Sequence, residues 1–274
     1  MPHDLRLYIT QILLVVSSSP LPWTGEPGFH LVGYSFGGGV GMSFTRYLPH
    51  LVQSLTLITP GGLIRPYHVG WQSKVLYSEG FLPEFLLEYL VKRRLETPSP
   101  TKANDTDVGV IGASAELPKV ERRKHAGNSD ASGGDGYDNA RLLKRHPHIS
   151  VGSAVSWQIS DHIGFIPAFM SSFRYGPIYN QHAVWAIVGS RLSEQKLHPA
   201  DKTTAKRGLL KSKVLMILGA TDPVIVAEEV IEDAKSVLGE GNVEIAVLDA
   251  GHEVPITKSA EVAEVIWQFW TCEE

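Results

Sequence analysis

The chain has 274 residues, of which 43% are hydrophobic and 20% are charged, and these proportions are typical of a globular protein. Its net charge of −4 gives no electrostatic reason to expect nucleic acid or an acidic membrane as a partner. The single cysteine, Cys272, excludes an intrachain disulfide, and no segment reaches the ~20 consecutive apolar residues of a membrane span. We therefore expect a cytoplasmic protein without a transmembrane segment.

The first quarter of the chain alternates between helical and strand patterns. Apolar residues at three- and four-residue steps predict an amphipathic helix that begins with Asp4 as its cap. Two short apolar runs predict strands on either side of a second helix, and a parallel pair joined by a right-handed crossover. The first run is so continuously apolar that we expect both of its faces to be covered. The ranges are 4–19 and 36–48 for the helices, and 29–32 and 51–58 for the strands.

The middle of the chain differs in composition. Residues 69–95 are predicted to be helical with an interruption at Pro83, and residues 97–146, rich in Pro, Ser, Asp, Gly and Lys, are predicted to be disordered. Aromatic residues return between 148 and 191, which predicts bent helices whose aromatics mostly pack in a core, while a minority line a pocket. The apolar side of the first helical segment is predicted to consist of Phe81, Phe85, Leu86 and Tyr89.

The last quarter returns to alternating strands and helices. Strands are predicted at 213–219 and 243–248, and helices at 224–238 and 256–270. The two ends of the chain therefore predict an α/β fold around a helical insertion, with a mostly parallel sheet of about four strands and flanking helices.

A G-x-S-x-G motif lies at the end of the first predicted strand, with Ser35 at its centre. The bare pattern is weak, but a strand before it and a helix after it predict a sharp turn that lifts the serine Oγ clear of the sheet. Gly33 and Gly37 are expected to keep Cβ atoms out of the space where the strand and helix backbones approach each other.

Three reactive residue types follow predicted strands, in the order Ser35, Asp222, His252. Because the carboxyl ends of parallel strands meet at one edge of a sheet, we expect these side chains to converge. A serine nucleophile needs a base, and a histidine base needs a carboxylate to fix its tautomer. Taken singly, Asp222 before Pro223 is more typical of a turn and helix cap, and His252 of a surface or core histidine. Asp249 is a competing carboxylate whose position favours support of the loop.

In these motifs the sequence resembles the α/β-hydrolase superfamily, in the branch with a helical cap. The resemblance rests on HLVGYSFGG around Ser35, LTLITPGG in the next strand, MILGATDPV around Asp222 and LDAGHEVP around His252. It implies that Ser35 is the nucleophile, that His252 is the general base and acid, and that Asp222 orients it. It also implies that the Phe36 backbone N–H is one oxyanion donor, and it implies neither a cofactor nor a metal.

The resemblance further implies a core formed by residues 1–62 and 208–274 and a substrate-selecting helical cap formed by residues 63–207. A complete member of the family has about four more strands before the helix that precedes the nucleophile strand. The sequence also contains no His-Gly pair, which often marks the loop of the second oxyanion donor. We therefore expect a partial α/β-hydrolase fold, from a truncated product or an incomplete gene prediction. A partner chain or self-association could cover its exposed apolar sheet edge.

The function that follows is hydrolysis of an ester, thioester or related acyl bond in an apolar small molecule. One alternative is a catalytically impaired fragment or binding protein, because the strands and the oxyanion loop are missing. Another alternative keeps the same three residues but cleaves a carbon–carbon bond, as a hydrolase or lyase. Substrate profiling separates the last alternative from ester hydrolysis.

Overall fold

Six strands form two separate sheets in the part of the chain that the computed structural model describes. That part comprises residues 2–25, 28–68, 71–80, 82–96, 141–143, 145–198 and 209–271. The strands are β1 (Phe29–Tyr34), β2 (Val52–Ile58), β3 (Arg141–Leu143), β4 (His146–Ser150), β5 (Val214–Gly219) and β6 (Val243–Leu248). The larger sheet has the order β1-β2-β5-β6, and all three of its pairings are parallel. The predicted four-stranded parallel sheet is confirmed.

Helices flank this sheet and fill most of the described middle of the chain. They are α1 (Leu5–Ser18), α2 (Phe36–Tyr47), α3 (Trp71–Leu76), α4 (Glu84–Glu96), α5 (Val151–Ser160), α6 (Phe165–Tyr175), α7 (His182–Leu197), α8 (Ala227–Leu238), α9 (Val254–Thr257) and α10 (Ser259–Thr271). The cap predicted for α1 is present, because the Asp4 carboxylate accepts a hydrogen bond from the Leu7 N–H at 3.2 Å.

β5 is apolar at every position and is covered on both of its faces. Val214, Met216 and Leu218 are buried on one face, in a core shared with α2, α7 and α8. Leu215 and Ile217 are buried on the other face, against α9 and α10. This two-sided burial is the expected environment of a central parallel strand.

β1 does not have the coverage that its apolar sequence predicts. Its side chains alternate between buried and exposed positions, and Val32 is 45% exposed. The prediction of two covered faces is therefore wrong for this strand. The physical reason is its position: β1 is an edge strand of the described sheet, where the Trp270 ring of α10 contacts the His30 ring but both His30 and Val32 stay exposed. A partner chain at this edge stays a prediction.

α4 turns a different side inward from the one predicted. Phe85 and Tyr89 are 75% and 58% exposed, whereas Leu87, Val91 and Leu95 are buried. These three residues recur at four-residue steps, so they form one stripe of the helix. They pack with residues of α5 and α6 into a cluster separate from those on the two faces of the sheet. Leu86 is half-buried, and Phe81 lies outside the described residues.

The predicted disordered stretch overlaps an ordered hairpin at its end. Residues 97–140 lie outside the described part of the chain. Within the described part, β3 and β4 pair antiparallel, so the prediction of disorder is wrong for residues 141–143 and 146. β3 has only three residues, which is too short for an alternating pattern that would predict a strand.

α7 packs its buried side chains against the sheet. Its buried residues Trp185, Val188 and Leu192 lie in the same cluster as α2, α8 and the sheet. The cluster that contains Leu87, by contrast, draws its buried residues from α4, α5 and α6. The boundary predicted at residue 207 stays a prediction.

None of the helices in the described ranges combines the length and apolar character that crossing a bilayer requires.

Candidate active site

Ser35 lies on a strained turn between β1 and α2. Its φ and ψ are 49° and −118°, a conformation that costs a non-glycine residue about 1–3 kcal/mol unless its surroundings enforce it. The surroundings do so here: the Ser35 N–H donates to the Ile58 carbonyl at 2.9 Å, and the Ser35 carbonyl accepts from the N–H groups of Gly38 and Gly61 at 2.9 and 2.8 Å. The backbone of β2 and its following loop therefore holds the turn in place.

The close backbone approach expected around this turn exists on one side of Ser35. A Cβ atom on Gly33 would lie 2.8 Å from the carbonyl carbon of Gly37, which no side chain tolerates. A Cβ atom on Gly37 would meet nothing within 4 Å, so the steric expectation does not hold there. The next tight contact comes one residue later, because a Cβ atom on Gly38 would lie 2.5 Å from Pro60. The helix therefore packs closely on the loop after β2.

His252 joins the serine to the carboxylate. It lies in the loop after β6, where it is only 5% exposed. Its Nε2 is 2.9 Å from Ser35 Oγ, and its Nδ1 is 2.8 Å from Asp222 Oδ2. Because an ionised carboxylate only accepts hydrogen bonds, Nδ1 carries the proton and donates to Asp222. Nε2 is then the acceptor for the Ser35 hydroxyl.

Asp222 uses its two oxygens for two different purposes. Oδ1 accepts hydrogen bonds from the N–H groups of Val224 and Ile225, at 2.7 and 2.8 Å, while Oδ2 accepts from His252. The turn-capping contact and the contact with the histidine, which the sequence left as alternatives, therefore occur together in one side chain. Asp249 is exposed, and the carboxylate on the histidine is that of Asp222.

A second carboxyl group, that of Glu253, interacts electrostatically with His252 and was not predicted from the sequence. It is 5% exposed, and burial raises its pKa above that of an ordinary carboxyl group. Burial by itself would lower the pKa of His252, but the charge and hydrogen bond of Asp222, together with the charge of Glu253, raise that pKa above its usual value. The only signal in the sequence was the position of Glu253 next to His252.

Tyr34 is the other residue that sequence reasoning missed. Its hydroxyl donates a hydrogen bond to the His252 carbonyl at 3.1 Å, and the two rings lie 5.4 Å apart at an angle of 36°. The residue occupies a variable position of the G-x-S-x-G motif, and such a position carries no signal by itself.

Phe36 places its backbone and its side chain in different surroundings. Its N–H belongs to the first turn of α2, where helix N–H groups lack partners within the helix and favour negative charge. Its ring packs edge-on against Tyr8 of α1 at 5.0 Å and contacts Gly176 beyond α6. The residue after the serine therefore contacts both α1 and the segment that follows α6.

The arrangement provides a hydroxyl, a base and a carboxylate in one hydrogen-bonded row, largely shielded from water. Such a row can take the proton of Ser35 as its oxygen bonds to an electrophile and return it to a leaving group. In the described ranges, no group of three or more His, Cys, Asp or Glu side chains is placed to hold a metal ion.

Solved structures with the same fold are numerous but distant in sequence. A bacterial membrane phospholipase A shares 13% identity, with a TM-score of 0.55 over 98% of this chain and 64% of its own. A variant epoxide hydrolase from Bacillus megaterium shares 14%, with a TM-score of 0.52 over 98% of this chain and 77% of its own. A carboxylesterase from the thaumarchaeon Nitrososphaera gargenis shares 14%, with a TM-score of 0.51 over 98% and 72%. This chain thus spans about two thirds to three quarters of their length.

A comparison with curated protein sequences gave no match. The sequence profile of the alpha/beta hydrolase fold, however, matches residues 24–259, which include the serine turn, the cap and both loops that carry the carboxylate and the histidine. The chain therefore belongs to the alpha/beta hydrolase fold family.

Proposed function

We propose that this chain is a serine hydrolase that cleaves an ester, thioester or related acyl bond of an apolar small molecule. Ser35 Oγ attacks the acyl carbon while its proton passes to Nε2 of His252, and Asp222 stabilises the resulting imidazolium. The imidazolium then gives the proton to the departing alcohol or thiol, which leaves an acyl group on Ser35. Water, deprotonated by His252, releases that acyl group as a carboxylic acid and restores the serine.

The Phe36 N–H serves this reaction as an oxyanion donor. It lies at the N-terminus of α2, directly after the nucleophile, where the helix dipole favours negative charge. The oxyanion of the tetrahedral intermediate forms next to Ser35, so a donor on the adjoining residue needs no movement of the backbone.

One observation supports this proposal above all others: the continuous row from Ser35 Oγ through His252 to Asp222 Oδ2, with distances of 2.9 and 2.8 Å. Three residues separated by up to 217 positions along the chain meet within hydrogen-bonding distance. Their order and geometry are those of the triad in enzymes that use an activated serine.

The domain division that accompanies this function is also a proposal. The core comprises residues 1–62 together with the chain from α7 onward, and the cap comprises α3 to α6 with the hairpin of β3 and β4. The cap has its own apolar cluster, of which Leu87, Ile159 and Met170 are buried members. A part with its own core can change shape without disturbing the sheet, which suits the selection of substrates.

The test is hydrolysis of a series of p-nitrophenyl esters with acyl chains of increasing length, by the wild-type chain, Ser35→Ala and Ser190→Ala. Ser190 is exposed on α7, so its variant controls for the loss of any serine hydroxyl. We expect turnover by the wild type and Ser190→Ala, and a loss of about 10⁶-fold in kcat for Ser35→Ala.

Other results would point to the alternatives. Equal ester turnover by Ser35→Ala and the wild type would contradict the proposed role of Ser35. A folded wild-type chain that turns over no ester, but cleaves a carbon–carbon bond in a Ser35-dependent manner, would identify the C–C hydrolase or lyase reaction. A folded chain that binds small molecules without any turnover would identify a binding protein.

A further inference from the structure

The loop that carries His252 must cross most of the sheet to reach the serine. β1 and β6 are the first and last strands in the order β1-β2-β5-β6. Three strand spacings separate them, a distance of roughly 14 Å at about 4.8 Å per strand. The imidazole nevertheless lies 2.9 Å from Ser35 Oγ. Something must therefore hold this loop above the carboxyl ends of the intervening strands.

The near end of the loop is fixed to β5. The Thr221 N–H donates to the Ala250 carbonyl at 3.1 Å, and Gly219 lies so close to the loop that a Cβ atom on it would be 2.5 Å from the same carbonyl oxygen. These contacts hold the loop at the third strand of the sheet, but they do not reach β1. The remaining span includes His252 itself.

Tyr34 reaches the far end of the loop from β1. Its hydroxyl donates to the His252 carbonyl at 3.1 Å, and its ring lies beside the imidazole. Its side chain also packs, partly buried, against the cluster that contains Ile58 and Val254. Because Tyr34 is covalently bonded to Ser35, the contact links the backbone of the base to the residue adjoining the nucleophile.

We infer that Tyr34 is the positioning residue that sets the distance between Ser35 and His252. This inference rests on the proposed function for its kinetic consequence, although the contact itself does not depend on it. The Tyr34 hydroxyl fixes the peptide of His252, and the ring limits the rotation of the imidazole. Deleting the hydroxyl leaves the ring packed but lets the loop drift, so the proton transfer from Ser35 slows while substrate binding in the cap is unchanged.

The experiment compares Tyr34→Phe with Tyr67→Phe. Tyr67 also donates a hydrogen bond from its hydroxyl, to Glu229 on α8, but it is exposed and lies outside the site. For Tyr34→Phe we expect kcat for the best p-nitrophenyl ester to fall about tenfold or more, with KM within about twofold of the wild-type value. Tyr67→Phe should retain wild-type kcat. Wild-type kcat in Tyr34→Phe would overturn the inference.

A second readout does not need turnover. The proton that His252 Nδ1 donates to Asp222 gives a low-field proton NMR signal, and we expect this signal to broaden or move in Tyr34→Phe but not in Tyr67→Phe. One outcome is a wild type that shows no Ser35-dependent activity while the signal of Tyr34→Phe still differs from that of the wild type. In that case the proposed function fails and the positioning role stands. An unchanged signal in a variant whose melting temperature shows that it is folded would overturn the inference.

Discussion

The backbone of Ser35 is held at a positive φ by three hydrogen bonds, so strain is stored at the position of the proposed nucleophile. A histidine base requires a serine hydroxyl in a fixed position, because proton transfer depends on a short and stable contact. The strain is therefore a structural cost of the same geometry that brings Oγ to within 2.9 Å of His252.

Glycine at position 35 should relieve this strain. Ser35→Ala keeps the strained conformation. We therefore expect the free energy of unfolding of Ser35→Gly to be about 1 kcal/mol higher than that of Ser35→Ala. The relief of about 1–3 kcal/mol exceeds the roughly 0.4–1 kcal/mol of added freedom in the unfolded chain. Denaturant titration of the two variants measures the difference, and both should lack esterase activity. A Ser35→Gly chain less stable than Ser35→Ala would show that the turn is not strained.

Glu253 should affect the pH dependence of the reaction. His252 acts as a base only when it is neutral, so kcat/KM rises as the pH increases through the pKa of His252. The charges of Asp222 and Glu253 raise that pKa, and removal of one charge must lower it. For Glu253→Gln we therefore expect the acid limb of the kcat/KM profile to move to lower pH.

The matched control for this prediction is Asp249→Asn. Asp249 is an exposed carboxylate on the same loop, three residues before His252, and we expect its removal to leave the acid limb in place. An unmoved limb in Glu253→Gln, or equal shifts in both variants, would contradict the assignment of the effect to the buried carboxyl group.

Much of this site was predictable because Ser35, Asp222 and His252 each come directly after an apolar strand, and parallel strands bring such positions to one edge. Tyr34 and Glu253 were not predictable by the same reasoning. Tyr34 meets His252 only because the loop after β6 crosses the sheet, and Glu253 affects His252 as a carboxyl group only because both side chains are buried. The pattern of residue types in the sequence does not predict the course of this loop over the sheet.

At the scale of elements, α4 shows that a four-residue spacing does not by itself identify the buried side of a helix. The predicted side contains Phe85 and Tyr89, which lie four residues apart, yet both face solvent. The buried stripe of Leu87, Val91 and Leu95 has the same spacing, and it is this stripe that packs against α5 and α6. The spacing is the same on both sides, and only the packing distinguishes them.

Paired alanine substitutions test this orientation. Leu87→Ala removes a fully buried side chain and should lower the stability of the cap by about 2–5 kcal/mol. Phe85→Ala removes a larger side chain that is 75% exposed and should change stability by no more than about 0.5 kcal/mol. Thermal unfolding of both variants measures the difference. A greater loss from Phe85→Ala would restore the aromatic face as the buried one.

At the scale of the whole molecule, the sheet order places the serine strand and the histidine strand at opposite sides of the described sheet. The central strands β2 and β5 therefore lie between β1 and β6, and the loop after β6 must extend over them to bring His252 to Ser35. The alternation of strands and helices at both ends of the chain predicted the parallel sheet. It did not predict that α7 packs in the core, because a buried aromatic such as Trp185 suits a cap and a core equally well.

The central claim is that Ser35 is an activated nucleophile, and reaction with a fluorophosphonate tests it most directly. The wild-type chain is treated with the reagent, digested and analysed by tandem mass spectrometry, beside the Ser35→Ala variant and a serine hydrolase of known reactivity. The account predicts one adduct in the wild type, on Ser35, and none in the variant. A folded wild-type chain that carries no adduct on Ser35, while the known hydrolase is fully labelled, would contradict it.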